Sequence, residues 1–157
     1  MSRLTLREAT DADLPTALAV LQAAFAEYRG WLDPPSGVHE ETVASLRAKM
    51  VSGRMVLALL DDTVVGCVLY QPQNDHVYLG RLAVLPAYRN RGIATALTAY
   101  VEQRARALGL PRVRLGVRVA LPHLRARYER MGYRLVEQRS HAGYTAPTYL
   151  IMEKPID

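Results

Sequence analysis

The stretch that decides the fold is LAVLPAYRNRGIATALTAYVEQRARALG, residues 82–109. It begins as an apolar run, breaks at Pro86, and restarts as an amphipathic pattern opened by Arg89-Asn90-Arg91-Gly92-Ile93-Ala94. Ile93, Leu97, Val101, Ala105 and Leu108 recur at helical spacing, which predicts a helix with one buried face. Gly109 and Pro111 stop it. A strand therefore hands over to a helix through two arginines and a glycine. The first N–H groups of a helix lack partners and carry partial positive charge, so several amides bind an anion at once. Gly92 lets a phosphate approach the backbone, and Ala94 keeps the surface beside it low. Arg89 and Arg91 add fork-shaped donors, and Thr95 adds a hydroxyl. The plain alternative is an arginine-rich helix start that only faces water.

The flanks give the fold class. RLTLREA reads as a strand, and Thr10 or Asp11 caps a helix over DADLPTALAVLQAAFAEY. RGWLDPPSGVHEE is loop, and EETVASLRAKMVSG is a second helix with Gly53 as its stop. MVLALL and TVVGCVLYQP around Asp61-Asp62 read as a hairpin, and HVYLGRLAVLP as a central strand. After the long helix come the strand RVRLGVRV, the short helix LPHLRARYERMG, and closing strands YRLVEQ and TYLIMEK. The order is βααβββαβαββ, a mixed α/β (α+β) fold. It predicts one sheet, mostly antiparallel, with a central parallel pair from the strand–helix–strand unit of residues 77–118. Ligands of such units sit near the carboxyl ends of the strands. With no repeats or linkers, residues 1–157 are expected to form a single domain.

Composition narrows the function. The net charge is +5, yet residues 86–139 hold twelve arginines and three glutamates, while the remainder is net acidic. That asymmetry suits an anionic ligand on one side and a cationic one on the other, unless the arginines merely coat two helices. A nucleic-acid-binding protein is disfavoured, because there is no lysine-rich tract, zinc-finger spacing or aromatic RNA-binding signature. The single Cys67 lies in an apolar run and reads as a small buried hydrophobe. No 18-residue apolar run and no apolar signal core is present, so a cytoplasmic protein without membrane contact is expected. The four histidines and one cysteine show no paired ligand spacing, so no metal site is expected. G-x-x-x-x-G-K-[ST], G-x-G-x-x-G after a strand, and G-x-S-x-G are all absent.

Arg89-x-x-Gly92-x-Ala94 after RLAVLPAY resembles the [QR]-x-x-G-x-[GA] acyl-CoA motif of the GNAT superfamily of N-acetyltransferases. RYERMGY, residues 127–133, is similar to that family's second signature, a tyrosine four residues before a Gly-aromatic pair. The resemblance, which extends to the element order along nearly the whole chain, implies acetyl-CoA as cosubstrate. It implies that N–H groups of Asn90, Arg91, Gly92, Ile93, Ala94 and Thr95, with Arg89, hold the CoA pyrophosphate. It also implies that Leu82, Ala83 and Val84 run beside the pantetheine arm, and that Tyr128 lies near the thioester sulfur as general acid. A packing tyrosine is the bland reading of Tyr128. The amine acceptor, a small molecule or a peptide, would be attacked directly in a ternary complex. Closing strands often pair between subunits in the family, which makes a homodimer an expectation by analogy.

The chain departs from the family in two places. The strand HVYLGRLAV carries no internal carboxylate to serve as base, and Arg81 sits there instead. Base candidates elsewhere are Glu40, Glu41, His76, Tyr78 and His141, each with an ordinary structural explanation. Leu121 stands where members often have asparagine, seven residues before the tyrosine. The missing carboxylate keeps a second reading alive, a non-catalytic acyl-CoA-binding sensor. On the acceptor side, Tyr28, Trp31, Asp33, Glu40, Glu41, His141 and Tyr144 would suit a cationic amine, and Arg81 a substrate carboxylate.

Overall fold

The computed structural model describes residues 3–157; Met1 and Ser2 lie outside the described residues. In chain order the elements are β1 (Leu4–Glu8), α1 (Leu14–Phe25), α2 (Val43–Lys49), β2 (Arg54–Leu60), β3 (Thr63–Pro72), β4 (Val77–Val84), α3 (Ile93–Ala107), β5 (Arg112–Arg118), α4 (Pro122–Arg130), β6 (Arg134–Arg139) and β7 (Tyr149–Pro155). The seven strands form one sheet in the order β1-β2-β3-β4-β5-β7-β6. β4 and β5 run parallel; β1–β2, β2–β3, β5–β7 and β6–β7 run antiparallel. This is the mixed sheet with one central parallel pair that the element order predicts. The chain groups into two compact units, one of residues 1–71 and 80–100, the other of residues 72–79 and 101–157, and β4 and α3 contribute residues to both.

In the first unit, α1 and α2 bury Leu14, Ala17, Leu21 and Leu46 with Met55, Leu57, Cys67, Leu69 and Ala83. Each large side chain so buried stabilises the fold by roughly 1.5–3 kcal/mol relative to its exposed state. Thr10 closes a capping box with Asp13 around a 3₁₀ turn, and α1 follows with Pro15 in its first turn. α2 is shorter than its sequence pattern suggests. It starts at a Thr42–Ser45 capping box and ends at Met50, so Gly53 is not its stop. Gly53 serves close packing instead: a Cβ there would lie 2.6 Å from the Tyr70 carbonyl oxygen.

In the second unit, strand alternation buries Val113, Leu115 and Val117 of β5, paired with Lys154, Met152 and Leu150 of β7. The Tyr133 hydroxyl donates to Glu102 at 2.8 Å, and Lys154 reaches the same carboxylate at 3.2 Å. Four of the five predicted apolar positions of the long helix, Ile93, Leu97, Val101 and Ala105, are buried. The fifth, Leu108, follows the last helical residue and is exposed. Among the described residues, no helix is long and apolar enough to cross a membrane, and no cluster of three metal-ligating side chains exists.

Candidate active site

β4 leads into the site. Its parallel pairing with β5 covers Val77, Tyr78 and Leu79. Two residues on, Arg81 adopts φ +52°, a left-handed angle that a side chain disfavours. The strand then continues through Leu82 to Ala83 and Val84, both buried. Leu85 N–H donates to the Val65 carbonyl at 2.9 Å, which fixes the exit of the strand before the 3₁₀ turn Pro86–Tyr88.

The phosphate cradle expected from the sequence has a definite backbone shape. Asn90 and Gly92 have φ +63° and +79°, and Arg91 between them does not share the left-handed angle. Alternating handedness of this kind can turn successive N–H groups toward one side, which is the backbone pattern of an anion-binding nest. Gly92 accepts the first bond of α3, from Ala96 N–H at 3.0 Å. The N–H groups of Ile93, Ala94 and Thr95 precede that bond and have no acceptor within the helix. A Cβ on Gly92 would meet nothing within 4 Å, so the loop surface there is open, as a bound pyrophosphate requires.

The two arginines differ. Arg89 Nη2 donates to the Ala24 carbonyl at 3.1 Å and Nε to the Val84 carbonyl at 3.3 Å, and its guanidinium pairs with Glu27. Its side chain braces the loop against α1. Arg91 is exposed, with its guanidinium carbon 5.3 Å from the Tyr88 ring centroid. β3 supports the same region from beneath. A Cβ on Gly66 would lie 2.9 Å from the Ala83 carbonyl and 3.4 Å from atoms of Ile93 and Leu97.

Tyr128 belongs to the second unit, on α4, one turn before the Gly132 stop. It is buried and packs edge-on against Tyr133, with ring centroids 5.8 Å apart. Burial, the largest influence, pushes its phenol well above the ordinary tyrosine value, so the group holds its proton at Oη. That state suits an acid and not a base.

The base candidates fare unequally. Burial would raise the Glu41 carboxyl, but hydrogen bonds from Lys49, Ser45 and Arg81 outweigh it and hold Glu41 below the usual carboxylate range. Lys49 Nζ sits 2.7 Å from both carboxylate oxygens and Arg81 Nε 2.7 Å from one. An ionised carboxylate so occupied is a poor proton acceptor, and Arg81 spends its Nε on it. Glu40 is exposed, and His76 is held by Asp75 at 2.7 Å. The Tyr78 hydroxyl lies where a side chain on Gly116 would come within 3.0 Å of it. His141 is hydrogen-bonded through Nδ1 to Thr148, and burial together with the Arg118 charge lowers its pKa, so it is neutral at pH 7. At the end of α1 and in the segment after it, Phe25, Tyr28 and Trp31 form a chain of edge-to-face rings.

Three features escaped sequence reasoning. Asn90 supplies the first left-handed residue of the nest, and Arg81 pairs with Glu41 across 40 residues. His39 has both ring nitrogens shielded without a hydrogen-bond partner among the described residues. Burial, with the Arg29 charge, lowers its pKa. Asparagine's tolerance of left-handed backbone is a usable local signal; the other two have none.

The chain is similar to known proteins. Residues 18–133 match the sequence profile of the acetyltransferase (GNAT) family. The chain is 37% identical over 114 residues to the human protein named "Probable N-acetyltransferase 14", a match covering 69% of this chain and 50% of that protein. The chain thus spans about half the length of the curated relatives it matches. Among solved structures, the PaiA N-acetyltransferase of Thermoplasma acidophilum, in complex with coenzyme A, superposes with a TM-score of 0.83 at 21% identity. That match covers 98% of this chain and 99% of that one. The ribosomal-protein-S18-alanine N-acetyltransferase of Escherichia coli gives 0.80 at 20% identity, covering 98% and 94%. With the profile running through α1, the β4–α3 loop and Tyr128 to Tyr133, the chain belongs to the GNAT acetyltransferase family.

Proposed function

We propose that this protein transfers an acetyl group from acetyl-CoA to a primary amine of a small molecule or peptide, by direct attack in a ternary complex. The observation that carries the reading is the alternating left-handed backbone at Asn90 and Gly92, opening onto the N-terminus of a fifteen-residue helix. Backbone N–H groups from Asn90 to Thr95 would hold the pyrophosphate, and Leu82, Ala83 and Val84 would line the pantetheine arm. When bound, acetyl-CoA supplies an activated acyl carbon to the amine. A β4 N–H near Ala83 would donate to the acyl oxygen as charge develops there. Tyr128 would give its proton to the departing sulfur. β4 carries no carboxylate, and Glu41, before α2, is ionised and paired; the amine would arrive neutral or lose its first proton to a water chain, and the proton its nitrogen sheds after attack would return to Tyr128. The reading also places the protein in the cytoplasm, and its homodimer stays an analogy with the family.

Thermal unfolding with acetyl-CoA, ATP and NADH tests the cofactor. A ligand at 100 times its Kd adds about 2.7 kcal/mol to the folded state. For a chain of this size that raises Tm by roughly 5–10 °C. A shift with acetyl-CoA alone supports the reading. The same shift in Gly92→Glu, whose carboxylate would fill the nest and repel phosphate, overturns the cradle assignment. The missing β4 carboxylate favours a second reading, an acyl-CoA-binding sensor. Thiol release from acetyl-CoA across an amine panel separates the two, since a sensor binds and releases none.

A further inference from the structure

We propose that the Glu41–Arg81 ion pair is a positioning device that fixes the left-handed turn of β4 and thereby aims the backbone of Leu82, Ala83 and Val84. The inference deepens the acetyl-CoA reading and rests on it for its consequence. It begins from a conflict: a residue with a Cβ stands at φ +52° inside a strand, where glycine would be unstrained. Such angles persist only where the surroundings over-determine them.

Those surroundings are present. The Arg81 side chain leaves the strand toward the segment just before α2, where Nε donates to Glu41 Oε2 at 2.7 Å. The Glu41 side chain is 2% exposed, and Ser45 and Lys49 hold it from its other sides. Gly37 completes the socket, since a Cβ there would lie 3.2 Å from Arg81 Nη2. On the strand's other flank, the Cys67 thiol points at the Arg81 carbonyl at 3.9 Å, and Gly66 leaves room for the Ala83 carbonyl. Residues 81–83 are thus pinned by β3 and by α2 at once. Glu41 already has Lys49 as a counter-ion, so Arg81 is surplus to neutralising it. Relative to an apolar replacement such a pair adds little, because burying the carboxylate costs much of what the attraction returns, whereas removing one partner strands the other; what the pair specifically contributes is the setting of backbone geometry.

Three variants test this: Arg81→Ala, Arg81→Gly and Glu41→Gln. The readouts are the NMR amide positions of Leu82, Ala83 and Val84 in ligand-free protein, and acetyl-CoA affinity by calorimetry. Arg81→Ala should displace those amides and weaken acetyl-CoA by about tenfold or more. Arg81→Gly should restore both close to wild type, because glycine takes the left-handed angle unaided. Glu41→Gln should displace the same amides, and it carries the comparison if Arg81→Ala fails to fold. Amides unmoved by Arg81→Ala and Glu41→Gln would overturn the proposal. So would Arg81→Gly as damaged as Arg81→Ala, since the guanidinium itself would then be what matters. Wild-type protein that ignores acetyl-CoA while its amides respond to the variants would overturn the cosubstrate reading and leave the positioning role standing.

Discussion

Tyr128 keeps its proton chiefly because burial removes its hydroxyl from water and so penalises the phenolate. A phenol of that kind helps a leaving sulfur only when charge has formed on it, in the transition state. Tyr128→Phe should therefore lower turnover on the order of 10²-fold with little change in KM for acetyl-CoA. Steady-state kinetics with an accepted amine checks this, and an unchanged kcat would make Tyr128 a packing residue against Tyr133. Arg89 shows how a residue type legible in sequence takes an illegible role. Its position marks the motif, yet its guanidinium is spent on the Ala24 carbonyl of α1 and on Glu27 in the turn that follows it. The partner lies 65 residues away, and no local pattern encodes that distance.

At the scale of elements, β3 and α3 meet across a glycine. Gly66 lies in a strand, where glycine is ordinarily a weakness. Here a methyl would stand 2.9 Å from the Ala83 carbonyl, a backbone atom that cannot swing aside. Gly66→Ala should destabilise the protein by about 1–3 kcal/mol despite alanine's better strand propensity. Tm should fall by roughly 2–10 °C in scanning calorimetry. Acetyl-CoA affinity should fall with it, because the displaced carbonyl belongs to the strand proposed to line the pantetheine arm. A variant of wild-type Tm would show that β3 and β4 have slack. The α3 pattern itself was plain from Ile93 to Ala105, because an amphipathic helix writes its buried face into a 3.6-residue period. Gly53 was misread because a glycine after a helix suggests a stop, while its actual constraint comes from Tyr70 on another strand.

Over the whole molecule, pH should act on stability through Glu41. Its carboxyl is held below the ordinary value, so its contribution is fully present above the unfolded pKa of about 4.3. That contribution is lost as pH falls through the lower folded value. Glu41→Gln should be less stable than wild type by roughly 1–3 kcal/mol at pH 7, a figure reduced because Arg81 and Lys49 are partly exposed. The gap should narrow as pH drops below about 4, where the wild-type carboxyl takes up a proton. Urea unfolding at pH 7, 5 and 3 measures this, and a gap independent of pH would mean that the carboxylate charge is not what holds α2 to β4.

The sequence alone determined the order of elements, the mixed sheet with its parallel pair, the buried face of α3, and the glycine at its start. Each of these is written in residues close together in the chain: a period, a cap, a breaker, a short motif. The tertiary structure decided what the arginines do. Arg89 braces α1, Arg91 stands over Tyr88, and Arg81 answers a buried glutamate 40 residues away. Guanidinium groups on long, flexible side chains take whichever carboxylate or carbonyl the fold brings within reach. Only folding sets that reach, so a charge can be counted from the sequence while its partner cannot.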